Sequence, residues 1–389
     1  MMANFALHHS NQHSAYKLDT YKESLIIIAD SNIAGLDDFF NPDALSLEPQ
    51  QTLKLTRVAG RDIDAQLLSE LQPDVLLIRS VTSVGESLLK DNRSVKFVGS
   101  ATIGTDHIDQ AYLSGRNVRF ANAIGSSKHS VAQYVLSAIL TLRADYWQRP
   151  ITLGIIGLGN IGSTLAEYAD SLGWQLLGYD PLLPKSKLNN ASFEQVLSQS
   201  DVVSLHVPLT SDNFDTVTNN YSNYPTQHLI DAAALNMLPA HTMLINTARG
   251  PVIDASALVA DIDKTGRQVV LDVFEFEPQI ADSLLTKLAV ATPHIAGYTL
   301  EGKLRGTQMI YEALCEQLHV IPKQSINHLL PVNMYLWSEL KANPDKLIKF
   351  YDIKRDDSQL RSKSVDGRVN APDFDQLRRD YHLRREWQL

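Results

Sequence analysis

A chain of 389 residues exceeds one typical core of roughly 100–200 residues, so two or three domains are expected. With 44% hydrophobic and 20% charged residues its composition is that of a globular protein, and a formal net charge of −9 argues against a general binder of nucleic acid or anionic membrane. Cys315 is the single cysteine, which excludes an intrachain disulfide and a cysteine-based zinc site and suits a reducing, cytoplasmic setting; no metal site is expected.

Residues 1–23 are polar and His-rich, with no continuous apolar run and no stretch long enough to cross a bilayer, and are expected to form a flexible N-terminal extension. "SLIIIADSN" (24–32), "DVLLIRS" (74–80), "VKFVGSAT" (95–102) and "VRFANAIG" (118–125) are short apolar runs ending in turn residues, the pattern of buried parallel strands separated by helices. The following "HSVAQYVLSAILTLRADYW" carries apolar residues at helical spacing and predicts a long connecting helix. A second α/β series runs through "ITLGIIGLGNIG" (151–162), "WQLLGYDP" (174–181), "DVVSLHVPL" (201–209), "TMLINTARG" (242–250), "QVVLDVFEFEP" (268–278) and "LAVATPHIAG" (288–297). From about residue 325 the chain turns charge-rich, which predicts a small separate module, and its "LRRDYHLRREW" reads as an amphipathic helix or a subunit contact.

"GLGNIG" supplies Gly157, Gly159, Asn160, Ile161 and Gly162 in the spacing of a dinucleotide-binding turn. The first glycine permits the tight turn, the second lets the backbone approach a pyrophosphate, and the third lets the helix pack on the sheet. The motif follows an apolar strand, opens a helix, and is followed by Asp180 at the end of the next strand. A carboxylate there accepts the ribose hydroxyls of NAD and repels the extra phosphate of NADP, so NAD is the expected cofactor.

Oxidising a 2-hydroxy acid requires a cation for the carboxylate, a base for the hydroxyl proton, and a partner that fixes the base's tautomer. Arg249, Glu277 and His294 each follow an apolar strand in the second series, where ligands sit in open α/β sheets. Singly, each reads as a surface ion pair, a turn carboxylate or a loop imidazole; together, behind a nucleotide fold, they predict a dehydrogenase site.

The pattern "GLGNIG…D…HVPLT…NTARG…DVFEFEP…PHIAG" resembles the D-isomer-specific 2-hydroxyacid dehydrogenases. Within them "IRSVTSVGESLL", "HIAGYTLEGKLRGT", "YDIKRDDSQLR" and "RREW" are similar to the branch that oxidises 4-phospho-D-erythronate in pyridoxal phosphate biosynthesis. The resemblance implies a Rossmann-type doubly wound NAD-binding domain (126–298) and a flavodoxin-like split substrate domain (24–125, completed by 299–322). A small α+β C-terminal dimerisation domain (323–389), and hence a homodimer, is implied too. It gives Arg249, Glu277 and His294 the catalytic roles, Ser80, Thr102 and Tyr298 substrate contacts, and Asp180, Val207, Asp272 and Gly297 contacts to NAD. The chain departs from the family at "NAIGSSKH" (122–129), where Ile124 replaces a proline and Lys128 and His129 are bulky, and at Val207, which replaces a threonine and leaves a backbone contact. It also stops soon after "RREW", which would weaken the dimerisation domain.

A phosphorylated hydroxy acid carries two anionic groups, and one arginine cannot hold both. Ser80 beside Arg79, Thr102, Lys303 and Arg305 are candidates for the phosphate, the last two reading equally well as a solvated helix face. Alternatives are another D-2-hydroxyacid dehydrogenase, such as one acting on 3-phosphoglycerate, and a non-catalytic NAD-sensing scaffold. Retention of all three catalytic residues disfavours the scaffold.

Overall fold

The computed structural model describes residues 23–184, 188–211 and 222–389; the predicted N-terminal extension lies, up to residue 22, outside the described residues. The chain divides into two compact units, one running to Ile124 with Leu304–Leu329, the other Gly125–Lys303 with Leu330–Leu389.

The first unit is built on five parallel strands, β1 (Ser24–Asp30), β2 (Thr52–Val58), β3 (Val75–Ile78), β4 (Phe97–Ser100) and β5 (Arg119–Asn122), in the order β2-β1-β3-β4-β5. This is the flavodoxin-like order, whose direction reverses between β1 and β3. Central β3 and β4 are buried throughout, whereas edge strand β2 alternates exposed and half-buried residues.

The second unit holds β6 (Thr152–Ile156), β7 (Gln175–Tyr179), β8 (Val202–Leu205), β9 (Met243–Asn246) and β10 (Val269–Leu271), then β11 (Ile280–Ala281) and β12 (Val290–Ala291). Its parallel sheet has the order β12-β10-β9-β8-β6-β7. Beyond β7, where a Rossmann sheet carries an outer strand, the described residues form one bridge, Gly178–Asn190. Asn190 compensates with its side chain, accepting from Asp180 N (2.9 Å) and donating to the carbonyls of Asp180 and Leu183 (2.8 Å each). The predicted connecting helix is Lys128–Leu142; every residue from Ser130 to Leu140 is buried, so it is a core element of this unit.

From Leu330 on, the tail predicted as a separate module belongs to the second unit. Apolar burial explains this: Trp337 stacks on Trp387 at 5.6 Å, both meet the Tyr168 ring edge-on, and Trp337 Nε1 donates to Ser171 Oγ at 2.8 Å. Further along, β13 (Arg368–Val369) pairs antiparallel with β11, and Arg361 donates to the carbonyls of Leu285 (2.7 Å) and Leu288 (2.9 Å). The final helix, Ala371–Arg379, ends before "DYHLRREW", which is not helical: Glu386 and Trp387 bury against the unit, and the chain extends to reach them. Among the described residues no helix is long and apolar enough to cross a membrane.

Candidate active site

Strand β6 runs into the glycine turn. Gly157 adopts φ +93°, and a Cβ there would lie 2.5 Å from the His206 carbonyl oxygen and 3.0 Å from Val207, so neither backbone nor space admits a side chain. At Gly162 a Cβ would come within 2.1 Å of the Gly157 oxygen, which is how the helix Asn160–Asp170 seats against the turn. Gly159 differs: among the described residues nothing lies within 4 Å of its would-be Cβ, leaving an open backbone face at a helix N-terminus, as a pyrophosphate needs. Asn160 opens that helix, Ile161 packs on the core, and Asp180 accepts from Leu158 N and Leu182 N at 3.0 Å each, which ties its carboxylate to the turn. His206, beside Val207, bonds Ser204 Oγ at 2.9 Å, and burial pushes its ring down to about 3. These residues fit a bound dinucleotide.

The loops after β10 and β12 bring two of the predicted reacting groups together. His294 Nδ1 lies 2.9 Å from Glu277 Oε2, and Glu277 Oε1 accepts from Phe274 N at 2.8 Å. Burial pushes the Glu277 carboxyl up, but the His294 ring and these hydrogen bonds outweigh it, leaving the group below the usual carboxylate range. An ionised Glu277 can only accept, so Nδ1 carries a proton, and in the neutral ring Nε2 then presents its lone pair. The His294 backbone is itself in the left-handed region, at φ +57°.

Asp272 supports that backbone. Its Oδ1 accepts from Thr292 Oγ1 (2.6 Å) and Ile295 N (2.8 Å), and its Oδ2 from Ala296 N (2.9 Å). Burial pushes this carboxyl up to about 6, against the pull of His294 and the donors. Both oxygens are thus engaged in shaping the histidine loop. Gly297 lets the loop approach the core helix, since a Cβ there would sit 3.1 Å from Ser127 Oγ.

Arg249 leaves β9 in extended conformation, with its Nη1 donating to the Ala248 carbonyl at 2.7 Å. Asn246 fixes the turn, accepting from Ala248 N (2.9 Å) and donating to the Arg249 carbonyl (2.8 Å). The next residue, Gly250, is pressed against the Phe274 backbone, where a Cβ would meet the carbonyl oxygen at 1.9 Å. The arginine loop therefore packs directly on the loop that carries Glu277.

Tyr298 is buried, with the Lys303 ammonium 3.4 Å from its ring centroid and Tyr381 edge-on at 5.8 Å. In the first unit, Ser80 and Arg79 follow β3, and Thr102 follows β4 with its hydroxyl 2.8 Å from Ser100 Oγ. Arg305 also belongs to that unit.

Residues 145–296 match the NAD binding domain of the D-isomer specific 2-hydroxyacid dehydrogenases, and residues 339–389 match a domain of unknown function (DUF3410). The chain is 70% identical to erythronate-4-phosphate dehydrogenase of Psychrobacter arcticus, over 94% of this chain and all of that one. It is 44% identical to the enzyme of that name from Acinetobacter baylyi, over 93% of this chain and 97% of the other. It belongs to the erythronate-4-phosphate dehydrogenase family. Its fold is shared with D-lactate dehydrogenase of Aquifex aeolicus, solved with NAD and lactic acid (25% identity, TM-score 0.58, 76% of this chain and 94% of that one). The TT0316 protein of Thermus thermophilus is also similar in fold (23% identity, TM-score 0.63, 77% and 99%). As a member of this family the chain is an NAD-dependent oxidoreductase.

The family's C-terminal segment contains residues that sequence reasoning missed. Arg384 donates to the carbonyls of Ile295 (3.2 Å) and Ala296 (2.7 Å), directly after His294, and stacks 4.1 Å from the Tyr351 ring centroid. Its backbone pairs with the same loop, Leu300 N donating to Arg384 O at 2.8 Å. Asp356 accepts from Tyr351 (2.8 Å) and Tyr381 (2.7 Å), completing the aromatic cage around this guanidinium. The only signal in the sequence was "RREW" itself, a basic pair ending on a large apolar residue.

Proposed function

We propose that the chain oxidises 4-phospho-D-erythronate at C2 to 2-oxo-3-hydroxy-4-phosphobutanoate, a step of pyridoxal 5′-phosphate biosynthesis. The observation that carries the chemistry is the Glu277–His294 pair, with Nε2 left to accept a proton. NAD, held at Gly157–Gly162 and Asp180, supplies the hydride acceptor when bound. The substrate hydroxyl gives its proton to His294 Nε2 as the C2–H bond breaks, and Glu277 stabilises the imidazolium that results. Arg249, a planar fork at a strand end, holds the substrate carboxylate and polarises the forming 2-oxo group.

Asp272 and Gly297 set the loop against which the nicotinamide end rests, and the Val207 backbone lines the same cofactor. Ser80, Thr102 and Tyr298 contact the substrate, the first two from loops at strand ends suited to anions. The body of the substrate domain is residues 24–125 with 299–322, the NAD domain is 126–298, and residues 323–389 carry a homodimer contact. The setting is cytoplasmic, and the acidic chain recruits neither nucleic acid nor membrane. A screen of short D-2-hydroxy acids with and without a terminal phosphate, including 3-phosphoglycerate, tests the assignment by following NADH. Preference for 3-phosphoglycerate would overturn it.

A further inference from the structure

His294 holds a backbone conformation that a residue with a Cβ disfavours, at φ +57°, and such a conformation persists only where its surroundings fix the chain. Turning that φ back to the ordinary region would swing the ring away from Glu277, which lies 2.9 Å from Nδ1. The backbone groups of the next two residues are the ones that would have to move, and all four are taken. Ile295 N and Ala296 N donate to Asp272, at 2.8 and 2.9 Å. The carbonyls of the same two residues accept from Arg384, Ile295 O from Nη1 at 3.2 Å and Ala296 O from Nη2 at 2.7 Å. A planar fork can span two adjacent carbonyls in this way, and an ammonium cannot.

Arg384 is itself held. Its guanidinium carbon lies 4.1 Å from the Tyr351 ring centroid and 5.9 and 6.0 Å from those of Tyr134 and Tyr381. Nη1 also donates to the Tyr381 hydroxyl at 3.2 Å, and Asp356 ties the Tyr351 and Tyr381 hydroxyls together. The Arg384 backbone bridges to Thr299, with Arg384 N donating to Tyr298 O at 3.3 Å. Just beyond, the chain is pinned to the core helix Lys128–Leu142. Trp387 N donates to Gln133 Oε1 and Trp387 O accepts from Gln133 Nε2, at 2.9 Å each, while Ser130 Oγ donates to Glu386 Oε1 at 2.8 Å. The Asp272 side ends on the same helix, since Thr292, which donates to Asp272, meets the Tyr134 hydroxyl at 2.6 Å. The histidine loop is therefore gripped from two sides, and both grips are rooted in one buried helix.

We propose that Arg384 is a positioning residue for the proton transfer, its fork holding the Ile295 and Ala296 carbonyls as Asp272 holds their N–H groups, so that His294 stays aimed at Glu277. The proposal rests on the proton-transfer role given to His294 and Glu277 above. It gives a task in the reaction to the C-terminal stretch that matches a domain of unknown function.

The test compares Arg384→Gln, which cannot span two carbonyls, and Arg384→Lys, which keeps the charge and reaches one, with the parent on 4-phospho-D-erythronate carrying hydrogen or deuterium at C2. Rates are expressed per NADH-binding site and melting curves are recorded, so that a partly unfolded preparation is not mistaken for a slow enzyme. In Arg384→Gln kcat should fall about ten- to a hundred-fold, the scale on which a displacement of about 1 Å slows a reacting group. KM and NADH binding should hardly change, and the deuterium effect on kcat should be at least as large as the parent's, because the slowed step is the one that breaks C2–H. Arg384→Lys should show the same pattern with a smaller loss, and it is read by the same criteria if Arg384→Gln does not fold. A kcat that stays at the parent's value in both variants overturns the proposal. So does a kcat loss with a diminished deuterium effect, which would place the slow step outside the reaction itself. Weaker substrate or NADH binding at unchanged kcat also overturns it, since Arg384 would then shape a binding wall. His294→Ala, measured alongside, separates the two levels: retained turnover there would break the proton-transfer reading, whatever Arg384 does.

Discussion

Both units place polar side chains on loops leaving the carboxyl ends of parallel strands, but they build those loops differently. After β3 and β4 of the first unit stand Ser80, which is exposed, and Thr102, whose hydroxyl meets another hydroxyl and the Gly104 carbonyl at 3.5 Å. After β10 and β12 of the second unit, the Asp272 carboxylate accepts from three donors of the His294 loop, and Arg384 donates to two of that loop's carbonyls. The contrast follows from the tasks proposed for the two loops. Proton transfer tolerates misplacement of well under an ångström, so its imidazole needs a rigid support. An anion held by rotatable hydroxyls can find its donors after it arrives.

The comparison breaks first, and most severely, at His294. His294→Ala should lose about a thousand-fold or more in kcat, within the range set by general acid–base catalysis. It should still bind NADH, because the glycine turn and Asp180 are built from other residues. Retained turnover would show that the rigid loop serves another purpose. Next in size is the substrate's phosphate. Charge-assisted hydrogen bonds contribute roughly 1.5–3 kcal/mol each, so two of them make erythronate poorer than its 4-phosphate by roughly a hundred-fold in kcat/KM. Equal activity on both compounds would remove the anion-binding task from the first unit.

A smaller effect is expected at Asp180. In Asp180→Ser the NAD preference over NADP should relax by about ten-fold, as one charge repulsion is withdrawn. The carboxylate also accepts from Leu158 and Leu182 amides, so affinity for NAD itself should fall in the same variant. Steady-state kinetics with both cofactors checks it, and an unchanged ratio would place the discrimination elsewhere.

What the sequence disclosed follows the same division. Arg249, Glu277 and His294 were legible because each is a polar side chain of defined chemistry just after an apolar strand, and strand ends are where open sheets bind ligands. Strand β2 was not legible, since an edge strand reading TLKLTRV mixes polar and apolar residues and lacks the continuous apolar run that marks a buried strand. Arg384 was hidden for a different reason. In a charge-rich tail an arginine looks solvated, and only tertiary partners such as Tyr351 and the 295–296 carbonyls reveal that it is interior. Asp272 looked like a cofactor contact alone, whereas its hydrogen bonds make it the support of the histidine loop.

The smallest effect concerns stability, and its sign separates the two carboxyls of the rigid loop. The Glu277 carboxyl is held below the usual range, so ionisation favours the folded state. That contribution is present above the unfolded value of about 4.3 and is lost as pH falls through the folded one. Asp272, pushed up to about 6 by burial, runs the other way: its contribution is present below about 4 and lost as pH rises through 6. Glu277→Gln leaves Asp272 in place, so comparing the variant with the parent isolates the first term. At pH 5 and above, Glu277→Gln should melt lower by about 2–4 °C, for a net loss of about 1 kcal/mol from the hydrogen bonds at the carboxylate. As pH falls toward 3 the two melting temperatures should converge, because the parent's carboxyl is then protonated as well. Melting curves taken at half-unit intervals decide it. A gap that widens in acid would mean that Glu277 folds as the neutral acid, and a neutral acid could donate to His294 Nδ1 and leave Nε2 carrying the proton instead of accepting one.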